Sequence, residues 1–274
     1  MEDALSKLNA LRRSPDLPDL IEIRIDRLEG LDMEKLLQRP RPKVIITNRH
    51  RNEGGGFEGS AEEQVRILSS ALRMGAEYAD IELRWGMRQI RRLLSAVPGA
   101  HLIVSHHDPE KTPATIRRVM KRLCASPGHI LKLVTSANDI ADNKKMFDLL
   151  VQSRPSRRRI AAFCMNERGQ ISRILAPIFG GALTYAAASG DETTAPGQMT
   201  VTDLKKIYRV PKLNGRTRIF GLVGNPVSHS TGFRFHNLVF ARNSLNAVYV
   251  NFLVDDLRRF LGSFRNALSG LSIT

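Results

Sequence analysis

Cysteine, tryptophan and long apolar runs are scarce in this chain. Its 274 residues include two cysteines and one tryptophan, and 6% are aromatic. Cys124 and Cys164 have neither metal-ligand spacing nor the density of a secreted disulfide scaffold, and they read as small buried apolar residues. No window approaches the ~18 uncharged apolar residues of a membrane span, and the opening MEDALSKLNALRR lacks the apolar core of a signal peptide. The expected location is cytoplasmic, with no membrane partner. Internal repeats and low-complexity segments are also missing. With 42% hydrophobic and 25% charged residues, the composition excludes a disordered tail, a collagen-like repeat and a minimal disulfide scaffold.

Lysine is scarce too. The 42 cations divide into 31 arginines and 11 lysines, with no lysine between Lys43 and Lys111, so a lysine in an apolar setting stands out. The net charge of +15 invites a nucleic-acid reading. The charge is spread along the chain, however, and a cluster such as Arg157, Arg158 and Arg159 is the usual solvated face. Zinc-finger spacing and aromatic RNA-binding motifs are absent, so nucleic acid is not an expected partner and RNA binding ranks third among the functions considered.

The periodicity predicts strands at 20–26, 44–49, 78–83, 101–107, 130–135, 160–165 and 182–187, alternating with helices such as 61–74, which follows a capping box at Ser60, and 112–123. Alternation at this spacing predicts an α/β fold, a parallel sheet wrapped by helices. Seven such units are one short of a closed (β/α)8 TIM barrel. Near Asn214 the character changes, and strand 218–224, helix 235–243, strand 247–252 and helix 255–267 predict a partial βαβα domain with little core of its own. The expected domains are residues 1–213 and 216–274.

Within the strands, period two puts Glu22, Arg24 and Asp26 on one face and three isoleucines on the other. Asp80-Ile81-Glu82-Leu83 repeats the pattern, and Arg49 and His107 each close a strand. Charges on a strand buried on both faces need partners, and C-terminal strand ends are where barrel enzymes keep their chemistry. Lys132 lies in Ile130-Leu131-Lys132-Leu133-Val134, where poor solvation of the ammonium would leave more free amine to attack a ketone and form a Schiff base. The alternative is a buried lysine paired to a carboxylate. Of the adjacent His106 and His107, only one can face the interior. A lysine holding a carbonyl as an iminium and a histidine moving the α-proton make a coherent pair for β-elimination.

The motifs Ile21-Glu22-Ile23-Arg24-Ile25-Asp26, Thr47-Asn48-Arg49, Glu53-Gly54-Gly55, Asp80-Ile81-Glu82-Leu83, Ser105-His106-His107-Asp108, Ile130-Leu131-Lys132-Leu133, Ile171-Ser172-Arg173 and Ala195-Pro196-Gly197-Gln198 resemble, in this order, the type I 3-dehydroquinate dehydratases of the shikimate pathway. The resemblance implies a lyase that converts 3-dehydroquinate to 3-dehydroshikimate without a cofactor or metal. It implies that Lys132 forms the Schiff base, that His107 is the general acid and base, and that Glu53 orients the histidine. Glu22, Arg24 and Arg49 match substrate-binding positions, Arg173 the arginine that binds the substrate carboxylate, and Thr194 and Gln198 the loop that closes over the ring. Thr194 stands where the family usually has serine. The partners expected are the small-molecule substrate and, as an assembly, a homodimer.

Two further expectations concern the ends. Family members begin with an apolar strand that is not seen before the helix at residues 1–13, which would explain the count of seven. Phe220-Gly221-Leu222-Val223-Gly224-Asn225-Pro226-Val227-Ser228-His229-Ser230 resembles the start of a shikimate dehydrogenase, as in bifunctional dehydratase/dehydrogenase enzymes. Ser230 matches one of two serines that hold the shikimate carboxylate, Gly232 occupies the place of the other, and no dehydrogenase activity is expected. The competing function is a non-catalytic or impaired remnant of such a bifunctional enzyme.

Overall fold

The computed structural model describes Ser6, Leu8 and residues 16–188 and 198–274. Six strands, β1 (Ile21–Arg24), β2 (Val44–Thr47), β3 (Tyr78–Glu82), β4 (His101–Asp108), β5 (Ile130–Ser136) and β6 (Arg159–Met165), follow one another in sequence order in one half-barrel sheet. The helices between them are α1 (Met33–Leu37), α2 (Ala61–Arg73), α3 (Gly86–Ala96), α4 (Ile116–Cys124) and α5 (Ala141–Ser153), and α6 (Gln170–Phe179) follows β6. A second parallel sheet, ordered β8-β7-β9, contains β7 (Arg218–Gly224), β8 (Ala247–Leu253) and β9 (Gly270–Ile273), with α7 (Gly232–Arg242) and α8 (Leu257–Phe264) between them. Among the described residues, no helix is long and apolar enough to cross a membrane.

The chain divides into two compact units, residues 1–108 with 117–133, and residues 109–116 with 134–274. In the first, parallel registers join β1 to β2, β2 to β3 and β3 to β4. Its helices form where the pattern requires. Ser60 caps α2 by accepting the Glu63 backbone N–H at 3.1 Å, and Val65, Leu68, Ala71 and Leu72 bury one face of that helix.

In the second unit, Ile171, Ile174, Leu175 and Ile178 of α6 recur at helical spacing and enter one apolar core with Phe147 of α5, Val223, Val248, Val250, Phe252, Phe260 and Phe264. The C-terminal segment, which the sequence suggests has little core of its own, therefore shares a core with two helices that precede residue 213.

Three elements differ from expectation. Strand β1 ends at Arg24 and a 3₁₀ turn takes Ile25–Arg27, because the Asp26 carboxylate accepts the backbone N–H groups of Arg49 and Gly56, both at 3.0 Å. The helix expected from residue 112 starts at Ile116. Thr112 instead buries its hydroxyl against Thr135 Oγ1 at 2.6 Å and the Ser136 carbonyl at 2.9 Å. Residues 182–187 form no strand. Ala182 N–H donates to the Ile160 carbonyl at 2.7 Å and Ala187 makes an isolated bridge with Thr200, while Thr184 between them bonds to α6. The helix expected at residues 1–13 lies almost wholly outside the described residues, apart from the helical Ser6 and Leu8.

Candidate active site

Period two builds the first unit's site. Arg24, Thr47 and Asp80 are register partners across β1 to β3, and Glu82 and Ser105 across β3 and β4. These residues, with Glu22 and His107, therefore share one face of the sheet, while Ile21, Ile23, Ile46, Ile81 and Val104 occupy the other. Arg49, two residues beyond β2, reaches the same face. It is 2% exposed, and its Nη2 donates to Asp80 Oδ2 at 2.9 Å and its Nη1 to Ser105 Oγ at 2.7 Å. Ser105 in turn donates to Asp80 Oδ1. Glu82 and Glu53 lie 3.6 and 3.8 Å from the Arg49 guanidinium.

Lys132 is buried as its apolar strand predicts, but it is not in an apolar pocket. Its Nζ donates to Glu22 Oε1 at 2.9 Å and to Asp80 Oδ2 at 3.2 Å. The alternative of a carboxylate-paired lysine is thus what the side chains show, and the pairing leaves the amine on the face that carries His107. Glu22 also accepts from Thr47 Oγ1 at 2.7 Å. Burial alone would raise the Asp80 carboxyl, yet the Arg49 and Lys132 charges beside it hold it below the usual carboxylate range.

Glu53 is fixed by a tight loop. Gly54 takes φ +82°, and a Cβ at Gly55 would fall 1.9 Å from the Arg49 carbonyl oxygen, so only glycine fits there. The loop presents Glu53 Oε2 to the His107 backbone N–H at 2.9 Å and to His107 Nδ1 at 3.2 Å. Burial, reinforced by the neighbouring Glu82 and Asp80 charges against the pull of Arg49, pushes the Glu53 carboxyl up to about 8. Burial, with the Arg49 and Lys132 charges, drives His107 well below its ordinary value. Both shifts favour neutral groups. With Glu53 ionised, Nδ1–H donates to Oε2 and leaves Nε2 free to take a proton; with Glu53 protonated, its O–H faces Nδ1 and Nε2 carries hydrogen. His106 belongs to the opposite face by alternation, yet its Nδ1 lies 3.8 Å from Glu53 Oε1.

Arg24 is held by Asp26 through Nε at 2.8 Å and Nη2 at 2.7 Å, so Asp26, read from the sequence as a third facial charge, serves as the anchor of Arg24 instead. Asp80, Glu82 and Ser105 were visible as motif residues but not as site residues. Nothing in the local sequence reveals that Asp80 joins Arg49 to Lys132 across 31 and 52 positions. Glu82 accepts the His50 backbone N–H at 2.7 Å and Trp85 Nε1 at 2.6 Å, and burial raises its carboxyl. Among the described residues, no three histidine, cysteine or carboxylate side chains are grouped to hold a metal ion.

The second unit places Arg173 on α6, 2% exposed, with its guanidinium 4.5 Å over the Phe163 ring and Nη1 donating to the Tyr185 carbonyl at 3.2 Å. Pro177, inside α6, lacks the N–H that would bond the Arg173 carbonyl, and Thr184 Oγ1 supplies the missing donor at 2.8 Å. Gln198 is half-buried, Thr194 lies outside the described residues, and Ser230 Oγ accepts the Gly232 N–H at 3.4 Å.

Residues 1–214 match the family model for type I 3-dehydroquinase, and residues 222–274 match that for the shikimate dehydrogenase substrate binding domain. Over 264 residues the chain is 34% identical to the chloroplastic bifunctional 3-dehydroquinate dehydratase/shikimate dehydrogenase of Arabidopsis thaliana, covering 93% of this chain but 43% of that protein. Over 194 residues it is 34% identical to the 3-dehydroquinate dehydratase of Desulfotalea psychrophila, covering 69% of this chain and 86% of that one. A solved type I 3-dehydroquinate dehydratase from Clostridium difficile shares the fold with a TM-score of 0.68 at 23% identity, over 77% of this chain and 87% of that chain. The chain therefore spans less than half the length of the bifunctional relative and most of the length of the single-function one.

The raised Glu53 carboxyl gives a stability prediction. Between its ordinary value of 4.5 and about 8, the folded chain keeps a proton that the unfolded chain releases, so this group's contribution to stability falls as pH rises. Glu53→Gln keeps the acceptor for His107 N–H and removes the titration. Denaturant unfolding from pH 5 to 8 should show the variant gaining on the parent as pH rises, and parallel curves would contradict the shift.

Proposed function

Because the chain belongs to the type I 3-dehydroquinase family, we propose that it dehydrates 3-dehydroquinate to 3-dehydroshikimate, a step of the shikimate pathway, through a Schiff base on Lys132. The observation that carries the reading is a buried lysine amine hydrogen-bonded to two carboxylates on the same strand face as a histidine kept neutral.

The chemistry follows from those contacts. Glu22 or Asp80, at 2.9 and 3.2 Å, takes a proton from the Lys132 ammonium, and the amine adds to the C3 ketone. That carboxyl returns its proton to the carbinolamine hydroxyl, which leaves as water, and an iminium remains beside a carboxylate. Its positive charge stands where the ammonium stood, so the carboxylates that balance one balance the other, and the covalent step needs no new counter-charge. The iminium withdraws electrons from C2. His107 Nε2 removes a C2 proton while Glu53 accepts from Nδ1–H, the C1 hydroxyl leaves as water with a proton returned by His107, and hydrolysis of the iminium releases product.

In this reading Glu53 orients and tunes His107. Glu22 and Arg49 contact substrate from the strand face, and Arg24, whose Nε and Nη2 are committed to Asp26, offers Nη1. Arg173 binds the substrate carboxylate through its planar fork, and Thr194 and Gln198 belong to the closing loop. Dehydration is assigned to residues 1–213, and no separate reaction is assigned to residues 216–274, where Gly232 offers no hydroxyl beside Ser230.

Three variants test the assignment. Lys132→Ala should abolish turnover and the borohydride-trapped adduct with 3-dehydroquinate, and peptide mass spectrometry locates the adduct in the parent. An adduct on Lys43 or Lys111 would overturn the role of Lys132. His107→Ala should still form the adduct but eliminate water at least ~10²-fold more slowly, the usual scale of general acid–base work. His106→Ala should lose much less. Equal losses in the two histidine variants would show that the wrong ring has been assigned.

A further inference from the structure

Helix α6, which carries Arg173, is held by the C-terminal segment at its start and along one face, and at its end through Phe147 of α5. At its start, Arg168 in the 3₁₀ turn Glu167–Gly169 donates Nε and Nη2 to the two oxygens of Asp255 at 2.7 and 2.9 Å, and Asp255 Oδ1 also accepts from Asn225 Nδ2 at 2.7 Å. The Arg168 carbonyl is tied in turn to Asn143 Nδ2 of α5 at 2.8 Å. Along the helix, Ile171, Ile174, Leu175 and Ile178 enter the core that holds Val223, Val250 and Phe252. At its end, Phe179 stacks on Phe147 at 4.3 Å, Phe147 meets the edge of Phe264 at 6.4 Å, and Phe264 stacks on Phe260 at 5.1 Å.

An exposed ion pair alone holds little. Here the fork is two-pronged, has a third partner, and sits on a backbone already fixed by a close-packed core, which resists small displacements. Pro177 has removed one of the helix's own hydrogen bonds at Arg173, so α6 depends more than an uninterrupted helix on what surrounds it. The face of α6 opposite the core directs Arg173 at Phe163 and Tyr185, and a shift of the helix would carry the guanidinium with it.

We infer that the segment from β7 to α8 is a splint for α6 that sets the position of Arg173, making Asp255 and Phe264 positioning residues of the dehydratase. The inference rests on the reading of Arg173 as the arginine that binds the substrate carboxylate. A poorly placed guanidinium weakens binding of substrate and transition state alike, which raises KM and leaves kcat nearly unchanged. General loss of stability does not produce that pattern.

The test uses the full chain with Asp255→Ala and, separately, Phe264→Leu, read by hydrogen exchange of residues 166–179 and by kinetics on 3-dehydroquinate. Both variants should keep the borohydride adduct on Lys132. Amides at 170–175 should exchange roughly 10-fold faster, and KM should rise about 5-fold with kcat within about twofold. Parental exchange, or faster exchange with unchanged KM, would overturn the inference. Should Phe264→Leu fail to fold, the surface variant Asp255→Ala decides. A parent chain that neither turns over nor traps an adduct would defeat the functional reading instead, and exchange at 170–175 would then decide whether the segment holds α6.

Discussion

Asp80 stands between two buried cations, and the rest of the first unit is arranged around that fact. Its Oδ2 accepts from both Arg49 and Lys132, and its Oδ1 from Ser105. A guanidinium and an ammonium withdrawn from water require compensation close at hand, since the effective penalty is several kcal/mol per ion even after relaxation. The strand face supplies it from four carboxylates, Glu22, Glu53, Asp80 and Glu82, of which Glu53 and Glu82 are shifted toward their protonated forms. Asp80, held below the usual carboxylate range by the Arg49 and Lys132 charges beside it, is the carboxylate that balances both.

That balance links folding to function. A lysine in an apolar pocket reacts because its ammonium is disfavoured. Here the amine is paired to two carboxylates, and in the proposed reaction its reactivity comes from having a proton acceptor within hydrogen-bonding distance and from an iminium that inherits the same counter-charges. In the same proposed reaction, an ionised Glu53 accepts from His107 Nδ1–H and leaves Nε2 free to take the C2 proton. The glycines at 54 and 55 matter because they let the Glu53 loop close tightly over the Arg49 carbonyl.

Much of this was legible in the sequence because strand periodicity is local. Polar residues at every second position of β1 and β3, an arginine and a histidine at strand ends, and a lysine in an apolar strand were enough to mark Glu22, Arg24, Arg49, His107 and Lys132. What was not legible is long-range or side-chain driven. Lys132 meets Glu22 across 110 positions, and no window of sequence shows that. Asp26 looks like a strand residue until its carboxylate is seen to bind two loop N–H groups and Arg24. Residues 182–187 have strand composition, but Thr184 is taken by the carbonyl that Pro177 leaves open, a consequence of a proline seven positions earlier on another element. The C-terminal segment looked too small for a core because its core is shared with α5 and α6.

Asp80 is the common counter-ion of Arg49 and Lys132. Equilibrium denaturation of Asp80→Asn, alone and combined with Lys132→Met, measures that shared role. The single variant leaves two buried cations short of one charge and should lose ~3–5 kcal/mol, the scale of a broken buried pair. Removing the lysine charge as well should recover part of that loss, since residues in one network do not act additively. A single variant within about 1 kcal/mol of the parent, or a double variant whose loss is the plain sum of the two, would show that Asp80 does not balance both cations.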